Sequence, residues 1–189
     1  MTPFEQQLDA FFHRPDEDLT GIYDPGGTSE HVSGYEEQEE APSEYVAFQI
    51  QGESWALPIG ALREIVRVTP LTEVPRAAPA LLGVMNLRGE VLPVFSLERR
   101  LGLASAPARI AGPDADLASV PRGARILVVS TAEGDAGLLV DAVREVVRLR
   151  ASSFELPDPG PGEARAAIAG IARDRNQLYV LLDLEQVFR

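Results

Sequence analysis

Two ungapped self-matches constrain this chain more than any other feature. Ala56–Val68, ALPIGALREIVRV, aligns with Gly137–Leu149, GLLVDAVREVVRL, at an offset of 81, and Leu57, Ala61, Arg63, Glu64, Val66 and Arg67 meet identical residues. Gly83–Leu101 aligns with Gly170–Phe188 at an offset of 87, where Gly83, Arg88, Leu97 and Glu98 meet Gly170, Arg175, Leu184 and Glu185. Two matches in the same order indicate a duplicated unit, and the fold must be one that such a unit can build twice.

The unit is a set of short strands. EYVAFQIQ, SWALPI, LREIVRV, LLGVMNLRG and EVLPVFSL are followed, after a looser segment, by RILVVST, AGLLV, VREVVRL, AIAGIARD and QLYVLLDL. Short β-branched runs bounded by turn residues read as strands. A five-stranded sheet of this size must close or curl to protect its edges, so small SH3-like or OB-like barrels are expected. Units of about 60 to 65 residues are marginal alone, and two together share an apolar core. Arg88-Gly89 and Arg175-Asn176 are expected hairpin turns, each ending in a residue that tolerates positive φ. LERRLGL and LEQVF read as short helices closing each unit. The class is all-β, with a first repeat over 44–103, a linker over 104–124 and a second repeat over 125–189.

Charge divides the chain differently. Residues 1–44 hold twelve Asp/Glu and one Arg, so nearly all of the net charge of -12 lies there and the rest is almost neutral. Residues 1–43 are rich in Gly, Pro and acids without a sustained apolar period, which predicts a disordered tail. Its start is the exception. Thr2 and Glu5 have capping-box spacing, Pro3 suits a first helical position, and Phe4, Leu8, Phe11 and Phe12 share one face. A helix over 3–12 is marginal alone. It reads either as a docking motif that folds on a partner or as a frayed helix of no consequence.

The inventory excludes most chemistry. Cysteine is absent, all seventeen basic residues are Arg, and both histidines, His13 and His31, lie in the tail. The body therefore lacks the commonest general base, the best nucleophile and the Schiff-base residue. No zinc-ligand cluster, phosphate loop or dinucleotide motif occurs, so neither metal nor cofactor is expected. Asp114 and Asp116, in the linker, read as solvated turn residues. A carboxylate-only hydrolase is the remaining enzyme reading, and a pocket with a strongly raised carboxylate pKa would be its sign. Nucleic-acid binding wants a basic groove interleaved with aromatics, which a near-neutral body with one Trp does not supply. The start MTPFEQQLDA lacks a signal-peptide pattern, and no apolar run approaches the roughly 20 residues of a membrane helix. A soluble cytoplasmic protein is expected.

The run LREIVRV…VPRAAPALLGVMNLRGEVLPVFSLERRLGL, followed by GLLVDAVREVVRL and IAGIARDRNQLYVLLDLEQVF, resembles the CheW family of chemotaxis coupling proteins over about Tyr45–Phe188. The resemblance implies two intertwined SH3-like five-stranded β-barrels and no enzymatic activity. It implies an adaptor that bridges the cytoplasmic tips of methyl-accepting chemoreceptors to the regulatory domain of a CheA-type histidine kinase, recruited to membrane-associated arrays. Adaptors of non-flagellar chemosensory pathways, or members binding only kinase or only receptor, fit the same residues. Since 43 front residues hold neither a kinase nor a receiver domain, a free-standing adaptor is expected.

Carried over by motif, Arg88 of NLRG, with Asn86 and Gly83 on the same strand, lies at the receptor or kinase contact surface, and Glu64 with Leu62 matches a second contact position. Arg88 has a further argument, since its planar five-donor fork suits carboxylates and interface hot spots are rich in Arg. Glu64 is expected to face outward between apolar neighbours. Of their repeat partners, Arg175 reads as a solvated turn residue and Glu145 as one side of a weak cross-strand ion pair. Trp55 and the Leu, Val and Ile of the strands read as core. Three departures from the family pattern stand out: Ser96 where Asp is usual (Asp183 keeps the acid in the second half), the long linker and the acidic tail.

Overall fold

All ten predicted runs are strands. The computed structural model describes residues 41–103, 110–155 and 166–189. Their strands are β1 Ser43–Ile50, β2 Glu53–Pro58, β3 Leu62–Arg67, β4 Leu81–Leu87, β5 Glu90–Ser96, β6 Arg125–Thr131, β7 Gly134–Val140, β8 Ala142–Leu149, β9 Phe154–Glu155, β10 Ile168–Asp174 and β11 Gln177–Leu182. Only β9, a two-residue partner of β10, had no counterpart in the sequence reading. The expected helix over 3–12, with Phe4, Leu8, Phe11 and Phe12, and the expected tail disorder lie outside the described residues.

The strands form two sheets whose composition is not that of the two repeats. One has the order β8-β1-β2-β11-β10-β9 and the other β3-β6-β7-β5-β4. The opening hairpin of each repeat, β1–β2 or β6–β7, is inserted between strands of the other repeat. Each inserted hairpin meets the other repeat through one antiparallel pair, β1 with β8 or β6 with β3, and one parallel pair, Trp55 opposite Val180 on β2 and β11 or Phe95 opposite Leu138 on β5 and β7. Among the described residues, the hydrogen-bond ladders do not close either sheet on itself.

This exchange explains why the hairpin strands read as near-continuous apolar runs. Val46, Ala47, Phe48 and Ile50 are all buried because both faces of β1 are covered. One face of each sheet meets a shared core that includes Phe48, Trp55, Leu57, Leu127, Leu138 and Val140. The opposite faces feed separate clusters, one around Ala47, Ala56, Tyr179 and Leu181 and one around Leu71, Val94, Ile110 and Ile126. Trp55 is 3% exposed and sits where strands of the two repeats meet, as a packing residue.

The linker is firmer than its composition suggests. Ile110 is fully buried, its carbonyl accepts the Leu71 N–H at 2.7 Å, and Ala111 bridges Leu71. Alternation rules find strands but have no purchase on one apolar side chain in a Gly/Pro/Ala stretch, which is why this part read as loose. Asp114 and Asp116 are exposed, and Asp116 accepts the Ala118 N–H of a single 3-10 turn.

The closing helices are Leu97–Arg100 and Leu184–Val187. Ser96 Oγ accepts from Arg99 N, while Asp183 Oδ1 accepts from Glu185 N and Gln186 N. Ser and Asp are both strong N-caps, so the departure at Ser96 preserves the local function of the acid.

Candidate protein-interaction surface

The site is built on the β4–β5 hairpin. Leu87 opposes Glu90, leaving Arg88 and Gly89 as a two-residue turn with φ of 55° and 97°. Both values are positive, as a type I′ turn requires. Asn86 Oδ1 accepts the Gly89 N–H at 3.0 Å and steadies the turn from the preceding strand. In the repeat turn the positive φ falls on Arg175 (53°) and not on Asn176, contrary to the sequence expectation. An arginine in the left-handed region costs about 1 kcal/mol relative to glycine. Glycine would relax the turn, so the backbone does not explain Arg88.

Its side chain does. Arg88 Nη2 lies 2.8 Å from Glu64 Oε2, with Arg88 80% and Glu64 26% exposed. The contact runs from a hairpin at one edge of the five-stranded sheet to β3 at the other edge. Glu64 therefore does not face outward. Along β3, Leu62, Glu64 and Val66 are the more covered residues, and Arg63, Ile65 and Arg67 the exposed ones. Alternation thus sets the acid with Leu62 and Val66, on the side from which the arginine reaches it, and the ladder with β6 shifts register between Leu62 and Glu64. A second exposed arginine continues the polar row, with Arg63 Nε 3.2 Å from Asp135 Oδ2 and 2.9 Å from Ser130 Oγ.

Two apolar residues of these strands are exposed. Ile65, next to Glu64, is 42% exposed, and Val91, opposite Asn86, is 72% exposed. Their repeat counterparts Val146 and Leu178 are also exposed. Treating every Leu, Val and Ile of the strands as core was therefore wrong at these four positions. The signal was present: in LREIVRV, alternation places Ile65 between Arg63 and Arg67 on one face.

Of the residues nominated from sequence, Arg88 and Glu64 are brought together and Asn86 supports the turn beneath them. Leu62 is half-buried against the shared core. Gly83 is buried, and a Cβ there would come within 2.6 Å of the Thr72 carbonyl oxygen and 2.9 Å of Leu71 Cβ. Packing accounts for this glycine, and no surface is offered there.

The second repeat's version of the surface is electrostatically different. Burial raises the Tyr179 hydroxyl above its usual range, reinforced by Glu145 and Asp174 and opposed by Arg175. Burial also raises Tyr45. Both hold their protons longer folded than unfolded. Their contribution to stability is intact below about pH 10, the unfolded value, and is lost as pH rises through the folded values. Urea midpoints should fall between about pH 9 and about pH 11, and fall less in Tyr179→Phe. Equal falls in the two proteins would contradict this.

Among the described residues, no group of His, Cys, Asp and Glu could hold a metal ion, and no helix is long and apolar enough to cross a membrane. Comparison with known proteins bears on the same body. A family model described as CheW-like domain matches residues 44–189. Chemotaxis protein CheW of Rhizobium meliloti (strain 1021) is 30% identical over 147 residues, covering 77% of this chain and 86% of that protein. Chemotaxis protein CheW of Helicobacter pylori (strain ATCC 700392 / 26695) is 27% identical over 154 residues, covering 82% and 86%. The crystal structure of the scaffolding protein TtCheW from Thermoanaerobacter tengcongensis superposes with a TM-score of 0.67 at 28% identity, covering 78% of this chain and 93% of that one. The exchanged-strand body with its Arg–Glu hairpin surface thus belongs to the CheW family, whose members are scaffolds and not enzymes.

Proposed function

We propose that this protein couples chemoreceptors to a CheA-type histidine kinase, acting in the cytoplasm as a non-enzymatic adaptor recruited to receptor arrays. Its contact surface is the Arg88–Glu64 pair with the exposed Val91 of the same hairpin. The observation that carries this assignment is the exposed arginine held in a positive-φ turn against a partly covered carboxylate. Such a surface combines a guanidinium fork, a carboxylate and an exposed apolar side chain, the mixture from which interface hot spots are made. Asn86 supports the surface from behind, and Leu62 fixes the start of β3 against the core.

The test is binding of full-length protein and of residues 44–189 to two purified probes, the kinase regulatory domain and a receptor cytoplasmic tip. The body alone is expected to bind both, and Val91→Glu to weaken at least one by about tenfold. Binding by full-length protein only would move recognition to the tail and overturn the site. No binding to either probe would overturn the coupling role.

A further inference from the structure

One cross-strand pair differs in kind between the repeats. Glu44 opposes Arg148 on β1 and β8, and Arg148 Nη2 lies 3.0 Å from Glu44 Oε1. The corresponding residues are Arg125 and Arg67, directly opposed on β6 and β3. An ion pair in one repeat is thus a like-charge pair in the other, an arrangement that is destabilising when both charges are exposed and uncompensated.

Among the described residues, no carboxylate compensates it. Arg125 directs Nη1 to the carbonyls of Ala124 at 2.7 Å and Gly123 at 3.3 Å. Arg67 and Arg122 are exposed and have no ion-pair partner among the described residues. The three arginines line a cavity of about 270 Å³ together with Val68, Leu117 and Val120, and no acid is among its lining residues. Two carboxylates of nearby segments are engaged elsewhere, Asp116 with the Ala118 N–H at 2.9 Å and Asp141 with the Gln51 N–H at 2.7 Å.

We infer that this cavity is a docking site for an acidic peptide segment of a partner, separate from the Arg88–Glu64 surface. Guanidinium groups pair carboxylates through two parallel N–H···O bonds, and two of the three forks here pair with no acid among the described residues. Val68, Val120 and the exposed Leu117 supply an apolar floor that suits a leucine or valine between acids and gives nothing to a bare inorganic anion. Nucleic acid fits poorly, since the cavity has no aromatic residue on which a base could stack.

The experiment uses full-length protein and a fluorescein-labelled peptide of sequence EELEE, followed by anisotropy. Saturable binding that weakens as salt rises is expected. The double variant Arg67→Gln/Arg122→Gln should bind at least about tenfold more weakly, and Arg148→Gln, in the ion-paired counterpart, should bind as wild type does. A second variant guards against a folding artefact. Arg67→Glu gives the ladder an opposite-charge pair with Arg125, so it should unfold at no lower temperature than wild type while losing the peptide. Wild-type affinity in either variant overturns the proposal. So does inorganic phosphate displacing the peptide at equal concentration, or single-stranded DNA binding more tightly than the peptide.

Discussion

Gly83→Ala should destabilise the body by roughly 3 kcal/mol, lowering its unfolding temperature by about 10 °C. The added methyl group would meet the Thr72 carbonyl oxygen at 2.6 Å, Leu71 Cβ at 2.9 Å and Ala111 Cβ at 3.3 Å. None of these is the free end of a flexible side chain. The Thr72 carbonyl accepts the Val84 N–H at 2.9 Å, and the Thr72 N–H donates to the Val84 carbonyl at 2.8 Å, so relief means breaking a bridge that pins the β3–β4 connection to β4. The backbone adds to the cost, since φ at Gly83 is 153°. Urea denaturation followed by Trp55 fluorescence measures the effect. Wild-type stability in Gly83→Ala would show that the connection shifts without loss.

Arg88→Glu should do the reverse, leaving folding intact and abolishing most partner binding. The lost pair with Glu64 is exposed on the arginine side, and such pairs contribute about 0 to 1 kcal/mol. Unfolding should therefore change little, and the substitution also places two acids across from each other on the surface. At an interface, arginine hot spots contribute about 2 kcal/mol or more, which corresponds to roughly thirtyfold in Kd. Kd for the kinase regulatory domain and for a receptor tip are the readouts. Loss of one alone assigns this surface to that partner, and unchanged affinity for both removes Arg88 from recognition. Together with Gly83→Ala, the variant separates two residues that share a strand and were nominated together from sequence.

That separation shows what the sequence could and could not reveal. Strands were legible because alternating and β-branched runs sit between turn residues, and the repeat because two blocks match without gaps. The inserted hairpins were not legible in the residues, since strand order depends on which edges meet. It was only the family likeness that suggested intertwining. Arg88 stood out as a charged residue at a turn. The direction of Glu64 was misread from its two apolar chain neighbours, since alternation along LREIVRV sets the acid with Leu62 and Val66 on the more covered face. Ile65 and Val91 were missed by counting apolar residues as core, although strand alternation sets Ile65 apart. Arg67 and Arg125 carry no local mark at all, and their opposition exists only once β3 and β6 are paired.

The placing of β11 has a consequence for how the protein is made. Gln177–Leu182 lies between β2 and β10 in its sheet, and its parallel neighbour Glu53–Pro58 leaves the ribosome more than a hundred residues earlier. Until β11 emerges, β2 lacks that neighbour and the apolar side chains of the first half lack part of their cover. Native pairing of such high sequence separation folds slowly, because loop closure precedes the contacts that reward it. Folding must therefore wait for β11, and deletion from Gln177 onward removes the strand that joins the first hairpin to β10 and β9.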